Sequence, residues 1–314
     1  MNIPPMNELI RDLRIAMLLK ADDIYFTVGG DRGMAMRAEF LGADPFEGLA
    51  KDIILDEDAL NEIDITDLAI TEHLQFVVSM LSGRWIGPRG GPNIPDTSVQ
   101  RSYEQDFLDY FVSSLPQIAL GTWDHTNLRN GSLGKLQSLG SAWLELIEAI
   151  NVSASGEFFS LTVTDVALIA GVDVRTLRNH VGPSRLLRTE PQEANRSSSA
   201  PLKYRAFVGV NLIDALGWLR ERKTFQIECL STSWIAESIQ SLPGDFERSR
   251  FALAASLINF GRLDDIAADT GLATEALRRL AGGEKITALA ESALIALAQR
   301  PLAARGTMTT AASG

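Results

Sequence analysis

The sequence predicts a mainly α, multi-domain protein with one small β-hairpin near its middle. Three observations lead there. Apolar residues recur at three- and four-residue spacing through most of the 314 residues. The β-rich runs RLLRT and KYRAFV stand together, on either side of the polar loop EPQEANRSSSAP. Glycine- and proline-rich breaks then divide the helical stretches into groups. With 46% hydrophobic and 22% charged residues, the chain has the composition of a globular protein able to bury a core without staples.

The elements follow in order. MNELIRDLRIAMLLKAD sets Leu9, Leu13, Ile15, Ala16, Leu18 and Leu19 at helical spacing. IYFTVGGDRG reads as a short strand and a turn. Its glycines lack the following Lys-Ser/Thr pair of a phosphate-binding loop. IDITDLAITEHLQFVVSMLSG is helical again, through Leu68, Leu74, Val77, Val78 and Leu81 to Gly83. GRWIGPRGGPNIPD is a loop, YEQDFLDYFVSSL a helix, and GTWDHTNLRNGSLG a second break near which the first domain ends. LGKLQSLGSAWLELIEAI, Leu133 to Ile150, is an amphipathic helix. After the hairpin, NLIDALGWLRERK reads as a helix capped by Asn211. SWIAESIQSL, DFERSRFALAASLINFG, LDDIAADTG, ATEALRRLAGG and ITALAESALIALAQR continue the helical pattern, and GTMTTAASG has little to bury. The expected organisation is an acidic helical domain over 1–125, a domain over 126–228, a helical C-terminal domain over 229–302 and a disordered tail over 303–314.

Several function classes find no support. The single cysteine, Cys229, fits a reducing cytoplasm. The start of the chain lacks the apolar core of a signal peptide, and no apolar run is long enough to span a membrane. His73, His125 and His180 lie far apart, without metal-ligand spacing, so no metal and no cofactor is expected. The acidic run DEDALNEIDITD lacks the glycine and spacing of a calcium loop and reads as a solvated face. No nucleophile or nucleotide motif points to an enzyme.

Charge is distributed unevenly. The net charge is −11. Residues 1–125 carry 21 acids against 9 bases, and residues 126–314 carry 19 against 20. The excess acid therefore belongs to the first part, which suits a protein partner or self-association. Between Val172 and Arg205 stand seven bases and three acids, and it is local charge that attracts phosphate.

One stretch inside that basic region is organised more closely than the rest: LTVTDVALIAGVDVRTLRNHVGP, Leu161 to Pro183. Thr162 and Asp165 form a capping-box pattern that starts a helix. Val166, Ala167 and Ala170 make its inner face, and Gly171 supplies the left-handed residue of a tight corner. Asp173 caps a second helix, with Val174, Leu177 and Val181 inward. Arg175, Thr176, Arg178 and Asn179 are left outward. The spacing Ala, Gly and Leu (167, 171, 177) is that of a helix-turn-helix.

Phe159 to Phe225, about a fifth of the chain, resembles the winged helix-turn-helix of the excisionase and MerR-like group. LTVTDVALIAGV is followed by RTLRNHV, a β-hairpin and ALGWLRERK, in the group's order. The resemblance implies that the second helix enters the major groove of double-stranded DNA. Arg175, Thr176, Arg178 and Asn179 would then face the bases. Arg185, Arg188, Arg196, Lys203 and Arg205 would lie on or beside the hairpin wing. The loop from Glu190 to Pro201 departs from the group in being longer and in holding two acids. The residue types suit contact with bases, since arginine bonds guanine O6 and N7 in two places, and asparagine does the same with adenine. The hydroxyls of Ser197, Ser198 and Ser199 are of a type suited to bonding phosphate oxygens.

LDDIAADTGLATEALRRL repeats the spacing with Ala267, Gly271 and Leu277. Thr274 is placed to cap its second helix, and Arg278 and Arg279 face outward. A second helix-turn-helix-like unit is therefore expected, either reading DNA through Thr274, Arg278 and Arg279 or serving as a helical core or dimerisation unit. The expectation for the whole chain is a cytoplasmic, nucleoid-associated transcriptional regulator acting as a homodimer, with a protein partner at the acidic domain. An architectural recombination or replication factor and a protein-interaction adaptor are the alternatives.

Overall fold

A computed structural model describes residues 1–41, 56–83, 97–114, 128, 130–182, 187–191 and 208–301. These are mainly helical, with fourteen helices and one three-stranded sheet among the described residues. They fall into two compact units. One lies within Ile3–Gly83 and Ile94–Ser141, and the other within Met1–Asn2 and Ala142–Gly314.

The first unit holds α1 (Met6–Val28), α2 (Gly30–Leu41), α3 (Glu57–Glu62), α4 (Ala69–Gly83), α5 (Thr97–Ser113) and the start of α6 (Ser132–Ser153). The expected strand at IYFTV does not form. Those residues are the last turns of α1, and the chain reverses at Gly29, at φ 72°, directly into α2. Ile24, Thr27 and Val28 favour strands locally, but packing of α1 on α2 and α3 decides the outcome. Leu9, Leu13, Leu74, Val77, Leu81 and Leu108 form the core of this unit.

Some of the acid in this unit has a structural role. Asp12 accepts the backbone N–H of Leu133 at 3.0 Å, and Glu8 accepts the Ser132 hydroxyl at 2.6 Å, so two carboxylates meet the positive end of α6. Burial pushes the Asp12 carboxyl above its ordinary range, against the pull of its backbone hydrogen bonds. In the acidic run, Asp56 caps α3 through the N–H groups of Asp58 and Ala59, and Glu57 pairs with Arg11 at 2.8 Å. Arg37 and Asp22 form a fully buried ion pair, with Nε donating to Oδ1 at 2.9 Å.

The second unit continues α6 and adds β1 (Ser160–Thr162), α7 (Val163–Ala170), α8 (Val174–Arg178), β2 (Thr189–Pro191), β3 (Val208–Asn211) and α9 (Leu212–Arg220). The sheet order is β1-β3-β2, antiparallel throughout, with Leu161 opposite Val210 and Thr189 opposite the same residue on the other side. Among the described residues β2 includes Thr189, the last residue of RLLRT, and β3 includes Val208, the last residue of KYRAFV, and β1 is an addition to the expected pair. α10 (Thr232–Ser241), α11 (Asp245–Phe260), α12 (Leu263–Thr270), α13 (Thr274–Ala281) and α14 (Ala288–Ala298) follow. Phe251 to Phe260 are buried on every side, so α11 is the central helix, packed by α9, α10, α12, α13 and α14. The tail expected over 303–314 lies outside the described residues.

Arg37→Ala removes the ion pair to the buried Asp22 carboxylate and should cost about 3–5 kcal/mol in urea unfolding. The double change Asp22→Leu with Arg37→Met should lie closer to the parent than the single change does, because no charge is then left buried.

Candidate nucleic-acid interface

The second unit positions the arginines of the basic stretch through local bonds. The Thr162 hydroxyl accepts the N–H of Asp165 at 3.1 Å, and Asp165 Oδ2 accepts the N–H of Thr162 at 3.2 Å, so the capping box closes. Gly171 takes the left-handed conformation, φ 67° and ψ 35°. The N–H of Val172 reaches back to the Ala167 carbonyl at 3.0 Å, which satisfies the end of α7. Asp173 accepts the N–H of Arg175 at 2.6 Å and starts α8. Leu177 is then completely buried, and α8 packs on α7, whose Val166, Ala167 and Ile169 are buried too.

With Leu177 inside, Arg175, Thr176, Arg178 and Asn179 are all exposed. Arg175 and Arg178 are three residues apart, hence neighbours on the helix surface. Neither guanidinium has an ion-pair or hydrogen-bond partner among the described residues. α8 is shorter than the apolar spacing suggests. It ends at Arg178, and Val181 instead bridges to Leu187, while His180 is half-buried with its ring 6.3 Å from Trp218.

Arg188 is placed differently. Its Nε and Nη2 donate to the two carboxylate oxygens of Asp214, at 2.7 and 2.6 Å, and its backbone N–H adds a third bond at 3.2 Å. This two-pronged pair joins the residue before β2 to the first turn of α9. The hydrogen bond to Asp214 holds the guanidinium still further toward its charged form. On its far side Arg188 lies against Gly282, where an added methyl group would collide with it. The arginine is thus bonded to α9 and packed against the end of α13. Sequence offered no signal for that role beyond an acid in the first turn of α9. Arg185, Arg196, Ser197, Ser198, Ser199, Lys203 and Arg205 lie outside the described residues.

The second corner repeats the backbone of the first. Gly271 is left-handed at φ 69° and ψ 15°, and the N–H of Leu272 reaches Ala267 O at 3.1 Å. Ile266, Leu277 and Leu280 are fully buried. Thr274 does not cap α13. Ala273 occupies the cap, and the Thr274 hydroxyl donates to Asp264 Oδ1 at 3.0 Å. The arginines here are partnered: Arg278 with Glu275 at 3.6 Å and Arg279 with Glu284 at 2.7 Å.

Among the described residues no group of His, Cys, Asp or Glu has the geometry to hold a metal ion, and no helix is long and apolar enough to cross a membrane. No family model, curated protein or solved structure matches the chain.

The two corners should respond unequally to the same change. A Cβ at Gly171 meets the Asn2 side chain at 3.2 Å, whereas one at Gly271 meets nothing within 4 Å. Both substitutions to alanine carry about 1–2 kcal/mol of left-handed strain, so thermal melts should show Gly171→Ala as the more destabilised. Arg188→Ala strands the Asp214 carboxylate and should lower stability by about 1–3 kcal/mol. Arg175→Ala and Arg178→Ala should leave the melting temperature nearly unchanged, because both side chains face water.

Proposed function

We propose that the chain is a sequence-specific, double-stranded-DNA-binding regulator of transcription that reads the major groove with α8. The observation that carries this reading is the pair of exposed arginines at 175 and 178, which have no partner among the described residues. Thr176 and Asn179 accompany them on an element fixed from behind by Leu177. The surrounding order supports it: α6, β1, α7, α8, then β2 and β3 as a hairpin whose second strand pairs with β1. That order is compatible with a winged helix-turn-helix, in which the second helix of the corner enters the groove. The sequence between β2 and β3 adds Arg196, Lys203 and Arg205, suited to backbone phosphates.

The second corner has a packing role in this proposal. Its guanidiniums lie beside glutamates that would repel phosphate, and α13 contributes Leu277 and Leu280 to the core around α11. A homodimer in the nucleoid fits the reading, since two half-sites supply the affinity that one short module lacks.

Fluorescence anisotropy tests the reading on a duplex selected from a random library by the full chain. Arg175→Ala and Arg178→Ala should each lose about 1–3 kcal/mol against that duplex and relax its sequence preference. Arg278→Ala with Arg279→Ala should bind as the parent does. Affinity should fall steeply with salt, as expected for counterion release. Failure to select any duplex, or a double 175/178 variant that binds its site unchanged, contradicts the proposal.

A further inference from the structure

The unit built from α1 to α5 contains a cavity of about 270 Å³, close to the lower end of the roughly 300–1,000 Å³ typical of small-molecule sites. Its walls come from four helices: Met17 on α1, Phe40 on α2, Ile70 on α4, and Phe107 and Phe111 on α5. They are almost wholly apolar. Among the described residues, the one charged side chain in the lining is Lys20.

Lys20 is fixed in place. Its Nζ donates to the Ser114 hydroxyl at 2.8 Å and to the Ser114 carbonyl at 3.3 Å, and it lies 4.9 Å from the centre of the Phe111 ring. An ammonium has three donors, so one remains for a ligand. Burial pulls the amine below its ordinary pKa, against the opposing charge of exposed Asp23. No ion pair joins Lys20 to any carboxylate among the described residues. A half-buried cation at the edge of an apolar cavity is therefore undercompensated, and an anionic group placed against it would gain a charge-assisted hydrogen bond.

The ligand class follows from these features. One lysine matches one negative charge. The acidity of residues 1–125 disfavours phosphates and other multivalent anions. The phenylalanine, isoleucine and methionine walls call for an apolar body behind the charge. We propose that this cavity binds a medium-chain monocarboxylate, with the carboxylate on Lys20 Nζ and the hydrocarbon chain among Met17, Phe40, Phe107 and Phe111. The inference stands on the cavity alone and does not depend on the reading of α8.

Isothermal titration of the full chain with octanoate, octanol and octylamine tests it. Octanoate should bind saturably at one site, about tenfold or more tighter than octanol, the contribution of one charge-assisted hydrogen bond. Octylamine should bind more weakly than either. Lys20→Met should bind octanoate and octanol alike, Lys20→Arg should retain the preference, and circular dichroism melts report whether each variant is folded. The comparison of the three ligands on the unmodified chain decides the matter even if a variant fails to fold. Absence of saturable octanoate binding, equal affinity for octanoate and octanol, or a folded Lys20→Met that keeps the preference overturns the proposal.

Discussion

The left-handed residue at Gly171 determines where every side chain of α8 points. With φ at 67° the chain turns within two residues, and the Val172 N–H closes on Ala167 O. An alanine at this position would strain the turn and press on Asn2. Once the turn is set, Leu177 reaches the core. The five residues of α8 then have only one orientation, with Arg175 and Arg178 outward. The Arg188–Asp214 pair completes the frame by tying the entry to β2 to α9, whose other neighbours include α11 and α13.

The same backbone device occurs twice with different electrostatics. At Gly171 the following helix presents arginines with no acidic partner among the described residues. At Gly271 it presents arginines held by Glu275 and Glu284. Exposed ion pairs contribute little to stability, about 0–1 kcal/mol. Their effect on surface potential is larger, because each removes a free positive charge from a face that would otherwise attract an anion. Spacing alone makes the two corners look equivalent, and the ion pairs beside Arg278 and Arg279 distinguish them.

What sequence could reveal depended on the range of the interaction. The Thr162–Asp165 capping box, the Asp173 and Asn211 caps and the Gly171 conformation are all local, and each forms as its residue types suggest. Strand β1 was not legible, because three residues give no periodicity and its partner β3 lies about 50 residues on. The IYFTV segment was misread for a related reason. Its β-forming residues are outweighed by packing of α1 on α2 and on α3, and α3 lies about 30 residues on, beyond any short window. The pairing of Arg188 with Asp214 was not legible because its carboxylate partner is 26 residues away. The Lys20 cavity needed α1, α2, α4 and α5 to converge, and no motif marks such a meeting.

The central claim, that the outward face of α8 meets the major groove, can be tested by directed cleavage. The lone cysteine, Cys229, is exposed, so Cys229→Ser gives a background free of thiols. An iron chelate attached through Thr176→Cys should cut the selected duplex at positions centred on one major-groove face, and the same chelate at Glu275→Cys should leave it intact. Cleavage from position 275 alone, or from neither position while the duplex remains bound, would contradict the account.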